Sequence, residues 1–130
     1  MLRPLIVALI LALAFGTSAR AETDHDHDHV GKHGGVITES SGHHSMELVA
    51  SDGLLQIYLT DHDGGPEDVK GAKATATVLS GGKKTDVTLS PDTGNFLQGT
   101  GDFKAGPGTV VVITLTMPDH EPEQARFKLD

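Results

Sequence analysis

The chain has no cysteine and no tryptophan. Without cysteine there can be no disulfide staple, no thiolate metal site and no cysteine nucleophile, which leaves methionine as the one soft ligand. A single tyrosine and four phenylalanines offer little for a platform that stacks on bases or sugars. Basic residues are scarce as well. Ten lysines and arginines face eighteen aspartates and glutamates, a net charge of −8 with histidine neutral. Such a surface repels nucleic acid and anionic membrane and draws cations. Long hydrophobic runs are also missing. Leu5 to Phe15 is the longest stretch without a polar residue, well short of the roughly 20 residues of a spanning helix.

That run follows Arg3 and leads to Ala19-Arg20-Ala21. A short positive region, an apolar stretch and a small-x-small site together predict a cleaved secretory signal peptide over residues 1–21. Cleavage there removes Arg3 and Arg20, lowers the net charge from −8 to −10 and leaves residues 22–130 with no membrane attachment. A chain of that length is expected to form one domain with one modest core.

What the sequence has in excess is histidine beside aspartate. "TDHDHDHVGKHGG", residues 23–35, alternates the two just past the expected cleavage site. No core-forming period runs through residues 22–35, so this segment is expected to be a flexible arm. Residues 36–130 read as short strands between turn residues: 36–39, 45–50, 54–60, 72–80, 83–90, a weaker 95–103, 108–117 and 124–129. Alternation places Leu55, Ile57 and Leu59 on one face. The same holds for Ala74, Ala76 and Val78, for Val87 and Leu89, for Val111, Ile113 and Leu115, and for Ala125, Phe127 and Leu129. Seven or eight strands with regular turns and no helical period predict an all-β sandwich.

Six of the eight histidines lie between residues 25 and 44. Neutral imidazole is a favoured ligand of zinc and copper, and carboxylate oxygen can complete a zinc site. In an extended arm His25, His27 and His29 share one side, about 7 Å apart at the backbone. Asp24, Asp26 and Asp28 between them raise the local cation concentration and can orient the rings. Ordering such an arm costs roughly 1–2 kcal/mol per residue, which predicts moderate affinity, fast exchange and poor discrimination between metals. In His33-Gly34-Gly35 two glycines permit a sharp turn that would bring His33 to the domain body. His43 and His44 open a strand whose alternation puts His44, Met46 and Leu48 on one face and His43 and Glu47 on the other. They could face one ion only across a bend, which Gly42 could supply. His62, between Asp61 and Asp63, is a further candidate. His120 reads as a solvated loop residue, and Met46 and Met117 as core fillers. The run "DHDGGPED" starts like a calcium loop but lacks the twelve-residue frame with its closing glutamate.

Beyond these local patterns, "KHGGVITES", the E-L-V of β-forming residues 47–49, the Y-L-x-D strand end at 58–61 and the L-x-P-x-x-G-N turn at 89–95 carry a resemblance over most of residues 32–129. The chain resembles small periplasmic proteins that accompany heavy-metal efflux systems, and a module of the periplasmic adaptors of heavy-metal resistance-nodulation-division pumps. The resemblance implies an immunoglobulin-like β-sandwich in the periplasm that binds zinc, copper or similar cations, with His33 and the His43-His44 turn at its metal positions. It also implies a transporter component as partner.

The expectation is thus a periplasmic divalent-metal buffer or chaperone without enzymatic activity. Zn2+ is favoured over Cu2+ because the ligands would be nitrogen and oxygen only. The alternative is an interaction module whose charge changes as its histidines titrate near pH 6.5.

Overall fold

The computed structural model describes residues 31–61, 64–92 and 95–130. Among them there is no helix; the chain forms eight antiparallel strands, β1 (Val36–Glu39), β2 (Ser45–Ser51), β3 (Leu54–Thr60), β4 (Lys73–Ser80), β5 (Lys83–Asp92), β6 (Phe96–Thr100), β7 (Val110–Thr116) and β8 (Glu123–Lys128). Each of the eight segments picked out by alternation is a strand. The weaker one shrinks to β6, because the chain leaves the sheet after Thr100 and the Phe103 ring turns into the core.

Hydrogen bonding runs β1-β2-β3-β6-β5-β4-β7-β8. β5 is the longest strand and belongs to both halves: residues 83–89 pair with β4, and Ser90, Pro91 and Asp92 pair with β6. The expected pair of separate sandwich layers is therefore drawn instead as one nearly closed, barrel-like sheet. A two-residue Gly81-Gly82 hairpin lets β5 run on from β4, and its length then carries it across to β6.

Among the described residues one seam remains, between β1 and β8. It is bridged by the turn after β1: the Ser41 amide donates to the Gln124 carbonyl at 2.9 Å, and the Gln124 amide to Ser41 Oγ at 3.0 Å. The inward rows predicted from alternation fill the interior. Leu55, Ile57, Val78, Val111, Ile113 and Leu115 are fully buried, with Met46, Leu48, Leu97 and Phe127 beside them. Met46 and Met117 are core residues, as the sequence suggested.

Two inward rows end in polar residues at the same end of the barrel. The row Leu48-Met46 continues to His44, and the row Phe127-Ala125 continues to Glu123. Strand alternation alone thus brings a histidine and a glutamate to one mouth of the barrel, on top of the core.

Candidate metal centre

The turn that joins β1 to β2 is a three-residue loop. The His43 amide donates to the Ser40 carbonyl at 3.0 Å, and the Ser40 amide to the His44 carbonyl at 2.8 Å. His43 occupies the left-handed position, with φ of 65°. This is the type I turn plus bulge common in three-residue hairpins, where glycine is the usual occupant and histidine is among the tolerated residues. The bend between the two histidines therefore lies at His43 itself and not at Gly42. It sends the rings to different partners. His43 Nδ1 meets Glu39 Oε1 at 2.7 Å in an exposed pair. His44 turns inward, where its Nδ1 lies 2.5 Å from Glu123 Oε1 and its Nε2 lies 3.3 Å from Glu67 Oε1. Both rings line a cavity of about 560 Å³ shared with Ile37, Thr60, Asp61 and Glu67.

Gly42 has a different role: a Cβ there would overlap the Glu123 carboxylate. The missing side chain is the space through which Glu123 reaches His44. Glu67 is fixed through its backbone, its amide donating to Leu59 O at 2.9 Å and its carbonyl accepting from Asn95 Nδ2 at 3.1 Å. Its Oε2 is buried and has no hydrogen-bond partner among the described residues. His120, in the β7–β8 loop, stands edge-on to His44 with ring centres 6.3 Å apart.

His33 forms a second arrangement on the outer face. β2–β3 register sets Glu47 opposite Tyr58, and the His33 ring lies flat on Tyr58 at 3.6 Å. Its Nδ1 is 2.9 Å from Glu47 Oε1, and the amides of His33 and Gly35 donate to Glu47 Oε2 at 2.9 and 2.8 Å. Gly34 has φ of 77°, and a Cβ on Gly35 would overlap the Leu48 carbonyl. The H-G-G motif is thus a docking turn: one glycine reverses the chain and the next lies against β2. The last five residues of the expected arm are pinned to the barrel because Glu47 gathers their donors. Burial alone would raise the Glu47 carboxyl, but the His33 ring bond, the two amide bonds and the His33 charge outweigh it and hold the group below its ordinary value of 4.5.

Of the residues singled out in the sequence, His33, His43 and His44 are thus placed. His33 is on a different face from the other two, which share one cavity. Asp24, His25, Asp26, His27, Asp28, His29 and His62 lie outside the described residues. Residue spacing in the sequence does not single out Glu47, Glu67 or Glu123, and it gives His120 as a loop residue. Glu123 carried a usable signal, since it continues the inward row of Ala125 and Phe127. Among the described residues no three histidine or carboxylate side chains already stand where they could share one ion.

Because the left-handed backbone at His43 costs an ordinary residue roughly 1–2 kcal/mol, His43→Gly recovers that cost. It gives back about 0.4–1 kcal/mol through the freer unfolded chain and up to about 1 kcal/mol from the exposed Glu39 pair. Denaturant unfolding is expected to find it within about 1 kcal/mol of the parent.

Comparison of the chain with protein-family models, with characterised proteins and with solved structures returns no match.

Proposed function

We propose that the chain is a periplasmic protein that binds divalent cations, zinc before copper, and buffers them or hands them to a periplasmic component of a metal transporter. An immunoglobulin-like kinship of the domain belongs to the same proposal. The observation that carries the reading is the orientation of His44. A buried carboxylate takes its Nδ1, and its Nε2 meets a second carboxylate 3.3 Å away in the wall of an open cavity. Carboxylate–imidazole pairs of this kind orient metal-binding histidines and raise their basicity. The histidine–aspartate stretch at 23–35 and the net charge of −8 add a cation-collecting surface.

Calorimetric zinc titration of residues 22–130 beside residues 30–130 tests the reading. Several weak sites and one tighter site are expected in the longer chain, with the tighter one alone surviving truncation. Loss of all binding on truncation would confine the metal function to the segment before Val30. Binding no tighter than millimolar in the longer chain would remove the metal reading. It would favour the interaction module, for which the imidazole–carboxylate pairs at His33, His43 and His44 are the supporting observation.

A further inference from the structure

Resting on that cation-binding reading, we infer that the barrel mouth holds one ion through His44 Nε2, Glu67 and His120, and that this ion staples the seam where the barrel closes. The distances point to the geometry. Two donors about 2.0–2.1 Å from one ion stand about 3.3–3.4 Å apart in a tetrahedron, and about 2.9 Å apart in a square plane. His44 Nε2 and Glu67 Oε1 are 3.3 Å apart. An ion entering between them could take up this separation as a tetrahedral edge. Glu123 on Nδ1 is the outer partner that fixes the ring. The Glu67 carboxylate, its Oε2 buried and without a hydrogen bond among the described residues, has negative charge that a cation at this point would compensate.

His120 supplies the third donor. Two imidazoles on one tetrahedral ion have ring centres about 5 Å apart, whereas those of His44 and His120 are 6.3 Å apart. A shift of roughly 1 Å closes the set, and His120 sits in an exposed loop beside Asp119, free of the sheet ladder. Such loops move at low cost. Water would fill the fourth position. The three donors come from separated parts of the chain: the β1–β2 turn, the segment after β3 and the β7–β8 loop. His44 and the loop before β8 stand on opposite sides of the seam, which the Ser41–Gln124 hydrogen bonds and the His44–Glu123 contact bridge. An ion held there ties the two edges together and adds its binding energy to barrel closure.

The test uses the full mature chain, its Glu67→Gln and His120→Ala variants, and three readouts: zinc calorimetry, thermal unfolding and the visible spectrum after cobalt loading. Zinc at about a hundred times its Kd is expected to raise the Tm of the parent by roughly 10 °C. At the same zinc concentration both variants are expected to keep the parent's metal-free Tm within a few degrees, to bind zinc at this site at least tenfold more weakly and to lose at least half of the rise. Cobalt in the parent is expected to give the intense bands of tetrahedral coordination and in the variants faint ones. If zinc binds and both variants retain affinity, Tm rise and cobalt bands, the stapling site is wrong while the cation-binding reading stands. If the parent binds neither metal, both fall. A variant that fails to fold is replaced by His44→Gln in the cobalt measurement, where unchanged bands overturn the site.

Discussion

Glu47→Ala is expected to cost about 2–3 kcal/mol at neutral pH, read from urea unfolding. The figure follows from what the carboxylate holds. It accepts from two backbone amides and one imidazole while itself only 6% exposed, and hydrogen bonds to a charged acceptor contribute about 1.5–3 kcal/mol each. The sum is not reached, because in the variant residues 31–35 can lift off β2 and give their donors to water. Desolvation works against the ionised group, yet its carboxyl stays below 4.5 in the folded protein, so the bonds win. A folded-state value below the unfolded one contributes stability that is present above pH 4.5 and is lost as pH falls through the folded-state value. The gap between parent and Glu47→Gln, which keeps the volume but points an amide at a cluster of donors, is expected to be widest at neutral pH and to narrow below 4.5. A gap that widens in acid would show that burial, not hydrogen bonding, governs this carboxylate.

The same residue shows where sequence reading ends. Strand periodicity reports which face a residue takes, and on that count Glu47 belongs outside, beside Tyr58 and away from Met46 and Leu48. It is buried because a non-local turn covers it, and no period in β2 encodes what residues 31–35 do. The H-G-G motif was legible as a hinge with His33 next to it. Its anchor was not, since the anchor is a register neighbour of Tyr58. The strands themselves were legible because their inner rows alternate with threonine, lysine and aspartate on the outer face. Closure into a barrel was not. It depends on β5 being long enough to leave β4 and reach β6, and a local pattern carries strand length without pairing partner.

The barrel mouth lay between these cases. Its histidine stands out in the sequence and its carboxylates do not, although Glu123 is in the inward phase two residues before Ala125. An acid in that phase at a strand end is either solvated at a rim or gathered by a partner. Gly42 decides between them, and its replacement is the sharpest check on the site. In Gly42→Ala the new methyl would take the place of the Glu123 carboxylate, so the acid must leave His44. Removing one partner of a buried ion pair costs about 3–5 kcal/mol. Here Glu123 stays in the chain and can swing toward the rim, which brings the expected loss to about 2 kcal/mol. Freed from Glu123, the His44 ring loses its orientation, and zinc at the mouth is expected to bind about 10–100-fold more weakly, the usual effect of deleting an outer partner. Gly106→Ala is the matched control, since nothing lies within 4 Å of a Cβ there and the backbone does not need positive φ. It is expected to stabilise the fold by about 0.4–1 kcal/mol through the unfolded state and to leave zinc affinity unchanged. Opposite signs from the same chemical change at two glycines would tie the stability effect to the Glu123–His44 contact. If Gly42→Ala unfolds and binds zinc like the control, Glu123 does not orient His44, and the carboxylate–imidazole basis of the metal reading falls with it.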